Sequence, residues 1–157
     1  MREHDPRWSD LFEKEASLIS KAFAGVTFEI DHIGSTAVSE IQAKPVLDIA
    51  LRSTEDAQIA AALVKLGYVD RGIRSGRLFI RSRDDDVRTH NLHLNHPDDL
   101  NCIDQITFRN ALRSEPKLRT QFAALKQSLV RSLGDRGRGQ YGDGETDFVK
   151  SVLQKHS

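Results

Sequence analysis

The spacing of hydrophobic and polar residues predicts a helix followed by two strands in the first third of the chain. Hydrophobic residues recur at helical spacing over residues 8–23, directly after Asp5-Pro6, a pair that is typical of a helix start. Alternating hydrophobic and polar residues over 26–31, and a β-branched apolar run over 46–51, predict the two strands. The Gly34-Ser35-Thr36 sequence between them predicts a turn that opens a short helix.

The rest of the chain predicts another helix, a hairpin and a helical C-terminal third, with a glycine-rich basic loop over residues 134–144. The predicted elements are a helix after Ser53, hairpin strands over 77–83 and 87–95, and helices over 100–113, 115–133 and 148–153. This order predicts a single α+β domain, close to α/β, over residues 1–157, in which helices flank a mixed sheet.

Composition narrows the range of partners. Lys plus Arg equals Asp plus Glu at 23 each, so the formal net charge is zero, which argues against a general binder of nucleic acid or of membrane surfaces. The single cysteine, Cys102, forms no internal disulfide, as is typical of a reducing compartment. No apolar run approaches the roughly 20 residues that span a bilayer. We therefore expect a cytoplasmic protein.

Residues 32–50 contain most of the chemical information. A glycine lets the backbone approach a ligand closely, and the serine after it offers a hydroxyl beside the N–H groups of a helix start, so Gly34 and Ser35 are candidates for binding phosphate. Asp48 lies in an apolar strand, and its carboxylate is a candidate to hold a divalent cation against the same phosphates. A phosphate site beside a metal-binding carboxylate is the arrangement that nucleotidyl transfer requires.

Each of these residues also has a purely structural interpretation. Gly34-Ser35-Thr36 is compatible with a helix cap alone, because Ser and Thr are preferred capping residues. Asp48 needs a partner, since an unpaired buried carboxylate is unfavourable. That partner is either a metal ion or a cation such as Lys44, and the sequence alone leaves both interpretations open.

Two histidines follow in the second strand of the predicted hairpin. Their three-residue spacing sends His90 and His93 to opposite faces of that strand, with His90 expected in the core. His93 shares its face with Asn91, and this polar face meets Asp48 if the two strands are neighbours. His93 is then a candidate metal ligand or phosphate donor, the alternative being a hydrogen-bonded structural histidine.

With these residues identified, the chain resembles the GrpB family, a branch of the nucleotidyltransferase fold that includes the DNA polymerase β-like enzymes. The resemblance covers nearly the whole length. Its specific blocks are His32-Ile-Gly-Ser-Thr-Ala-Val38 and Ala43-Lys-Pro-Val-Leu-Asp-Ile49. Further matches are Trp8, Phe12, Leu66-Gly-Tyr68, Arg88-Thr-His-Asn-Leu-His93, Phe108-Arg109, Leu112-Arg113, Leu125-Lys126 and Tyr141.

The resemblance implies a twisted, mixed nucleotidyltransferase-type sheet with the nucleotide site at Gly34, Ser35 and Asp48. Arg109 and Lys126 occupy positions that the family shares, where they either reach the nucleotide or pair with surface acids. The expected phosphate-binding residues are Gly34, Ser35, Thr36, Lys44, Arg109 and Lys126, the expected catalytic residues are Asp48 and Lys44, and the expected ligands of Mg²⁺ or Mn²⁺ are Asp48 and His93.

The chain departs from the pattern of the superfamily at one important position. A second carboxylate usually lies two residues after the first, where this chain has Ala50. The family also usually has a proline near Ser39 and a lysine near Glu145. The expected function is metal-dependent transfer of a nucleoside monophosphate from a nucleoside triphosphate to a small acceptor. The alternative is a non-catalytic nucleotide- or metabolite-binding module, which the missing acid favours.

Overall fold

A computed structural model describes residues 1–74, 76–133 and 138–156. The strands are β1 (Glu29–Ile33), β2 (Leu47–Arg52), β3 (Val69–Arg74), β4 (Gly76–Ser82) and β5 (Arg88–Asn95). The helices are α1 (Arg7–Ala22), α2 (Asp56–Lys65), α3 (Leu100–Ser114), α4 (Pro116–Leu133) and α5 (Arg138–His156), and a one-turn 3-10 helix covers Ser35–Ala37. Among these described helices, none is long and apolar enough to cross a membrane.

The five strands form one mixed sheet in the order β1-β2-β5-β4-β3. β2 and β5 are parallel, and the other neighbouring pairs are antiparallel. The predicted α+β class with a mixed sheet is therefore confirmed. The register places Asp48 of β2 between Ile33 of β1 and Asn91 of β5, so these three side chains share one face of the sheet.

The two faces of the sheet are covered by different helices. α1 and α2 cover one face with the largest apolar cluster, which includes Ile19, Ile49, Ile59, Phe79 and Leu92. On the other face, α3 packs its Cys102 and Ile106 against Ile33 and Ala50. Phe122 of α4 and Phe148 of α5 pack against Val38 and Ile41, which follow the 3-10 helix. The helical C-terminal third is thereby fixed against the Gly34-Ser35 turn.

β3 was not among the predicted strands. It is an edge strand whose hydrophobic residues are largely exposed, with Val69 at 56% and Ile73 at 74% of full exposure. Its ladder is irregular between Asp70 and Ile73, where Gly72 has a φ of 80°. An exposed, bulged edge strand has no buried face, so the alternation on which the prediction rests is missing.

The prediction of a loop over residues 134–144 is wrong for residues 138–144. Helix α5 begins at Arg138, so residues 138–144 are helical, whereas 134–137 lie outside the described residues. Each glycine in a helix costs about 1 kcal/mol relative to alanine. Burial of Phe148 and Val152 farther along α5 offsets that cost, because packing supplies most helix stability in proteins.

A buried ion pair fixes α1 to β4. Arg81 donates through Nη2 to both carboxylate oxygens of Glu15, the distance to Oε2 being 2.6 Å. The Glu15 side chain is 2% exposed, and the guanidinium of Arg81 also lies over the ring of Tyr68. His90, expected in the core, is half-buried beside this pair, with its Nε2 3.2 Å from Arg81 Nη2.

We expect Glu15→Ala to reduce the free energy of unfolding by an amount toward the lower end of about 3–5 kcal/mol, because it leaves the partly buried charge of Arg81 without its carboxylate partner. The lower end applies because the Arg81 side chain is 23% exposed. Asp70→Ala is the matched control. It breaks the more exposed ion pair with Arg77, which lies on β4 as Arg81 does, and should change the free energy of unfolding by less than about 1 kcal/mol. Urea unfolding of both variants measures the difference, and equal losses would contradict this assignment.

Candidate functional site

Asp48 lies half-buried near the beginning of β2, an inner strand of the sheet. Its Oδ1 accepts a hydrogen bond of 3.1 Å from Asn91 Nδ2 on the neighbouring parallel strand. Burial raises the pKa of the Asp48 carboxyl, and this effect outweighs the opposing Asn91 hydrogen bond and the charges of Lys126 and Arg88. The ionised form of Asp48 is therefore less favourable in the fold than in water, and a cation beside it would stabilise it.

The Gly34 backbone lies directly against the Asp48 carboxylate. Gly34 has φ 76° and ψ −175°, a conformation that glycine adopts without a steric penalty. A Cβ atom at this position would lie 2.7 Å from Asp48 Oδ2, which is closer than real side-chain contacts allow. The predicted association of the Gly34-Ser35 turn with Asp48 is thus present, and only a glycine permits it.

Lys126 of α4 connects the helical third of the chain to this turn. Its Nζ donates to Ser35 Oγ at 2.5 Å and to the Gln42 carbonyl oxygen at 3.0 Å. The residue is 9% exposed, and burial lowers the pKa of its ammonium group, against the charges of Glu145 and Asp48. Lys126 therefore lies buried against the Gly34-Ser35 turn and not on the surface.

The backbone of the turn is held on both sides by side chains that come from other elements. Arg109 Nη1 donates to the His32 carbonyl oxygen at 3.1 Å, and Arg113 Nε donates to the Ala37 carbonyl oxygen at 2.9 Å. Inside the turn, His32 Nε2 lies 2.8 Å from Thr36 Oγ1. Burial and the charges of the two arginines lower the pKa of His32 to about 4. His32 is therefore neutral near pH 7, and the turn is rigidly positioned.

These contacts show which partners the predicted phosphate-binding residues have within the protein. The Thr36 hydroxyl is buried and engaged by His32, so it serves the turn itself. Arg109 forms an ion pair with Asp31 at 3.0 Å and also donates to the His32 carbonyl oxygen. It therefore pairs with an acid and at the same time positions the turn. No side-chain hydrogen bond caps the 3-10 helix in the described part of the chain, and the Ser35 hydroxyl contacts Lys126 instead.

Lys44 is exposed and, within the described residues, forms no ion pair with Asp48. The expected alternative to a metal ion, a structural Lys44–Asp48 pair, is therefore wrong. Lys44 lies in the segment before β2, which begins only at Leu47, and its side chain is exposed.

His93 lies beside Asp48 on the same face of the sheet, one step along the parallel ladder. It pairs in register with Ala50, and its charge acts on the Asp48 carboxyl. The direct contact with Asp48 is made by Asn91, for which the sequence predicts this face but no role. Arg88 belongs to the predicted hairpin, and its Nη1 donates to Asn91 Oδ1 at 3.3 Å.

Glu145 also belongs to this site, and the sequence pattern does not identify it. It is half-buried in the first half of α5. Burial raises the pKa of its carboxyl more than the charge of Lys126 lowers it. The family usually has a lysine near this position, and this chain lacks it. The electrostatic interaction of Glu145 with Lys126 depends on how α4 and α5 pack against each other, which no local pattern indicates.

Position 50, where the superfamily usually has a second carboxylate, is buried. Ala50 is 0% exposed and packs with Ile33 and Cys102 beneath α3. In the described part of the chain, no group of three His, Cys, Asp or Glu residues could hold a metal ion. A magnesium ion in such sites is often bound by one or two carboxylates, several waters and the phosphates of the substrate. Asp48 fits an ion that enters with a triphosphate, but not a site with two metal ions.

Two surface depressions lie beside α4 and are lined by neither Asp48 nor Ser35. The larger one has a volume of about 440 Å³, and its lining consists of Glu3, His4, Ser39, Glu40, Gln42 and Gln127. The other has about 280 Å³ and follows α4 from Arg119 to Gln127. The charged and polar groups converge around Asp48 instead.

Comparison with known proteins agrees with this geometry. The sequence profile of the GrpB protein family matches residues 1–155. The UPF0157 protein BH1888 of Halalkalibacterium halodurans is 30% identical over 98% of this chain and 80% of its own length. The crystal structure of the conserved protein GrpB from Enterococcus faecalis superimposes with a TM-score of 0.80 at 27% identity, covering 98% of this chain and 96% of the other.

A more distant similarity establishes the type of fold. The structure of Cid1 in complex with its short product ApU aligns with a TM-score of 0.56 at 10% identity, covering 91% of this chain and 46% of the Cid1 chain. Cid1 is a poly(U) polymerase, so the likeness at this identity shows a nucleotidyltransferase-like fold alone. Together with the profile match over nearly its whole length, these findings show that the chain belongs to the GrpB family.

Proposed function

We propose that this protein is a metal-dependent nucleotidyltransferase that moves a nucleoside monophosphate from a nucleoside triphosphate to a small acceptor. The observation that carries the proposal is the Lys126–Ser35 hydrogen bond, which places a buried cation and a hydroxyl beside the Gly34–Asp48 contact. A buried ammonium group with a lowered pKa gains stability when an anion approaches it. A half-buried carboxylate with a raised pKa gains stability from a cation.

In this proposal, Ser35, the Gly34 backbone and Lys126 bind the β- and γ-phosphates. Lys44, which is exposed in front of β2, supplies a second cation to the same phosphates. Arg109 and Thr36 hold the turn in position through His32 and do not touch the nucleotide themselves. The turn contributes little through a helix dipole, because its helix is one turn long.

Asp48, with His93 beside it, would hold Mg²⁺ or Mn²⁺, which when bound supplies charge neutralisation and Lewis acidity to the triphosphate. The acceptor hydroxyl oxygen forms a bond to the α-phosphorus, and the bond from that phosphorus to the bridging oxygen of pyrophosphate breaks. Pyrophosphate leaves, and the hydroxyl proton passes to water. The chain contributes mainly positioning and charge, from which most of the catalysis of phosphoryl transfer comes.

A second candidate is a nucleotide-binding module without turnover. The buried Ala50 favours it, because a carboxylate that could bridge two metal ions is absent at that position. Release of pyrophosphate from ATP, CTP, GTP and UTP in the presence of hydroxyl- and amine-bearing acceptors separates the two candidates. Turnover by the wild-type chain supports the enzyme, whereas metal-dependent binding without pyrophosphate release supports the module.

We expect at least one nucleoside triphosphate to raise the unfolding temperature by about 5–10 °C, and only when Mg²⁺ or Mn²⁺ is present. A ligand at 100 times its dissociation constant stabilises by about 2.7 kcal/mol, which corresponds to such a shift for a domain of this size. Differential scanning fluorimetry with each nucleotide, with and without the metal, measures it. A shift with no nucleotide would reject both candidates.

We expect Asp48→Asn to abolish that shift while leaving the stability of the protein alone unchanged or raised. The pKa of Asp48 is raised by burial, so its ionised form is disfavoured in the fold. Its destabilising effect grows as the pH rises from the unfolded pKa to the folded pKa and is complete above the folded one, so removing the charge relieves it near pH 7. Asp104→Asn, on the exposed surface of α3, is the control. A loss of about 3–5 kcal/mol in Asp48→Asn would identify a structural ion pair instead.

We expect Lys126→Met to weaken binding of the same triphosphate at least tenfold, because the variant loses the cation that contacts Ser35 but keeps an aliphatic chain against Phe122. Lys117→Met removes an exposed charge from the same helix and should leave affinity unchanged. Isothermal titration with a non-hydrolysable triphosphate analogue and Mn²⁺ measures both variants. Equal affinities would remove Lys126 from the phosphate site.

A further inference from the structure

A β-bulge lies where β5 begins. His90 is paired with Arg81 of β4. The next residue of β4, Ser82, is paired with Arg88, so β5 advances by two residues where β4 advances by one. Thr89 is the additional residue, and its side chain anchors the bulge. Thr89 Oγ1 donates to the Arg81 carbonyl oxygen at 3.2 Å and lies 2.8 Å from His90 Nδ1.

The bulge turns Arg88 onto the face of the sheet that carries Asp48. Strict alternation along β5 would direct Arg88 to the opposite face, toward the core. Its partner Ser82, however, lies two residues after Ile80, which is paired with Asn91. Residues two apart in a strand share a face, as do residues paired across strands, so Arg88 shares the face of Asn91. Its Nη1 accordingly donates to Asn91 Oδ1 at 3.3 Å.

Arg88 fixes the orientation of the Asn91 amide against Asp48. A guanidinium only donates hydrogen bonds, and an ionised carboxylate only accepts them. Asn91 lies between the two, so its Oδ1 faces Arg88 and its Nδ2 faces Asp48 Oδ1 at 3.1 Å. The charge of Arg88 also acts on the Asp48 carboxyl. Arg88 therefore belongs to the group of residues that surrounds Asp48.

The two oxygens of Asp48 face different parts of the chain. Oδ2 is the oxygen that a Cβ atom at Gly34 would meet, on the side of the turn that Lys126 contacts. Oδ1 faces Asn91 and, beyond it, Arg88. β1 runs antiparallel to β2 whereas β5 runs parallel to it, so the turn after β1 and the beginning of β5 lie at the same end of the sheet. One cation thus lies on each side of Asp48.

These two cations differ in how an anion can reach them. Lys126 is buried, whereas Arg88 is exposed and, in the described part of the chain, forms no ion pair with a carboxylate. A planar guanidinium binds phosphate or carboxylate through two parallel hydrogen bonds. One such group suits a single anionic group, whereas a nucleic acid would require a row of cations and would meet the three aspartates of residues 84–86.

The proposed function determines which substrate meets Arg88. It places the β- and γ-phosphates on the side of Asp48 where Lys126 lies. The attacking and leaving oxygens lie roughly in line on opposite sides of the α-phosphorus, so the acceptor approaches from the side of Asn91. We propose that Arg88, positioned by the Thr89 bulge, binds a phosphate or carboxylate group of the acceptor. This inference rests on the proposed function.

The test compares three small hydroxyl compounds that differ in charge: glycerol, glycerate and glycerol 3-phosphate. ¹⁵N-labelled protein with Mg²⁺ and a non-hydrolysable triphosphate analogue is titrated with each of them. We expect at least one of the two anions to shift the Arg88 Nε–Hε resonance and the Asn91 side-chain amide saturably, and glycerol to shift neither. Arg83 is the internal control, because it is exposed in the same hairpin and pairs with Asp85.

Variants separate the anion-binding role of Arg88 from the positioning role of the bulge. With the Asn91 amide as the reporter, Arg88→Gln should lower the affinity for the anion about fivefold or more, and Arg88→Lys should lower it less. Thr89→Val keeps Arg88 but removes the hydroxyl that anchors the bulge, so the affinity should fall about threefold or more. Thr89→Ser keeps the hydroxyl and should restore the affinity, and Arg83→Gln should leave it unchanged.

The possible failures are distinguishable. If neither anion shifts the Arg88 resonance, or if Arg83 responds equally, the acceptor assignment is overturned while nucleotide binding stands. If Thr89→Val binds the anion as the wild type does, the positioning role of the bulge is wrong. If Arg88→Gln weakens the triphosphate analogue as strongly as Lys126→Met, Arg88 binds the nucleotide and not the acceptor. If the analogue gives no thermal shift with the wild-type chain, the proposed function fails, and a titration without the analogue decides separately whether Arg88 binds anions.

Discussion

The site depends on one buried cation. Lys126 lies at the junction of α4 and the Gly34-Ser35 turn, where it donates to a side-chain hydroxyl and to a backbone carbonyl at the same time. Its burial follows from the packing of Phe122 and Phe148 against Val38 and Ile41, which brings the helical third of the chain onto the turn. Without that packing, the ammonium group would be in solvent and the turn would lose its contact with α4.

Burial disfavours the charged forms of two groups at this site. The pKa of Lys126 is lowered and the pKa of Asp48 is raised, in both cases because burial disfavours the charged form. In the proposed function, a triphosphate with its metal ion would bring a negative charge to Lys126 and a positive charge to Asp48. Stability is commonly sacrificed at functional sites in this way, and here the structural elements around the turn supply the compensating packing.

The sequence predicts well what is set by local pattern. The strand that carries Asp48, the turn at Gly34 and the opposite faces of His90 and His93 follow from side-chain alternation and from the properties of glycine. The edge strand β3 could not be predicted in this way, because Val69 and Ile73 are exposed. The position of Ala50 beneath Cys102, and the binding of Arg109 to the His32 carbonyl, depend on where α3 packs, and no local pattern contains that information.

The central claim is that one metal ion enters the site together with the nucleotide, held by Asp48 without a second carboxylate at position 50. Electron paramagnetic resonance of Mn²⁺ titrated into the protein, with and without a non-hydrolysable triphosphate analogue, counts the bound ions directly. We expect one tightly bound Mn²⁺ per chain in the presence of the analogue and weak binding in its absence. Two tightly bound ions, or binding that is independent of the nucleotide, would contradict this claim.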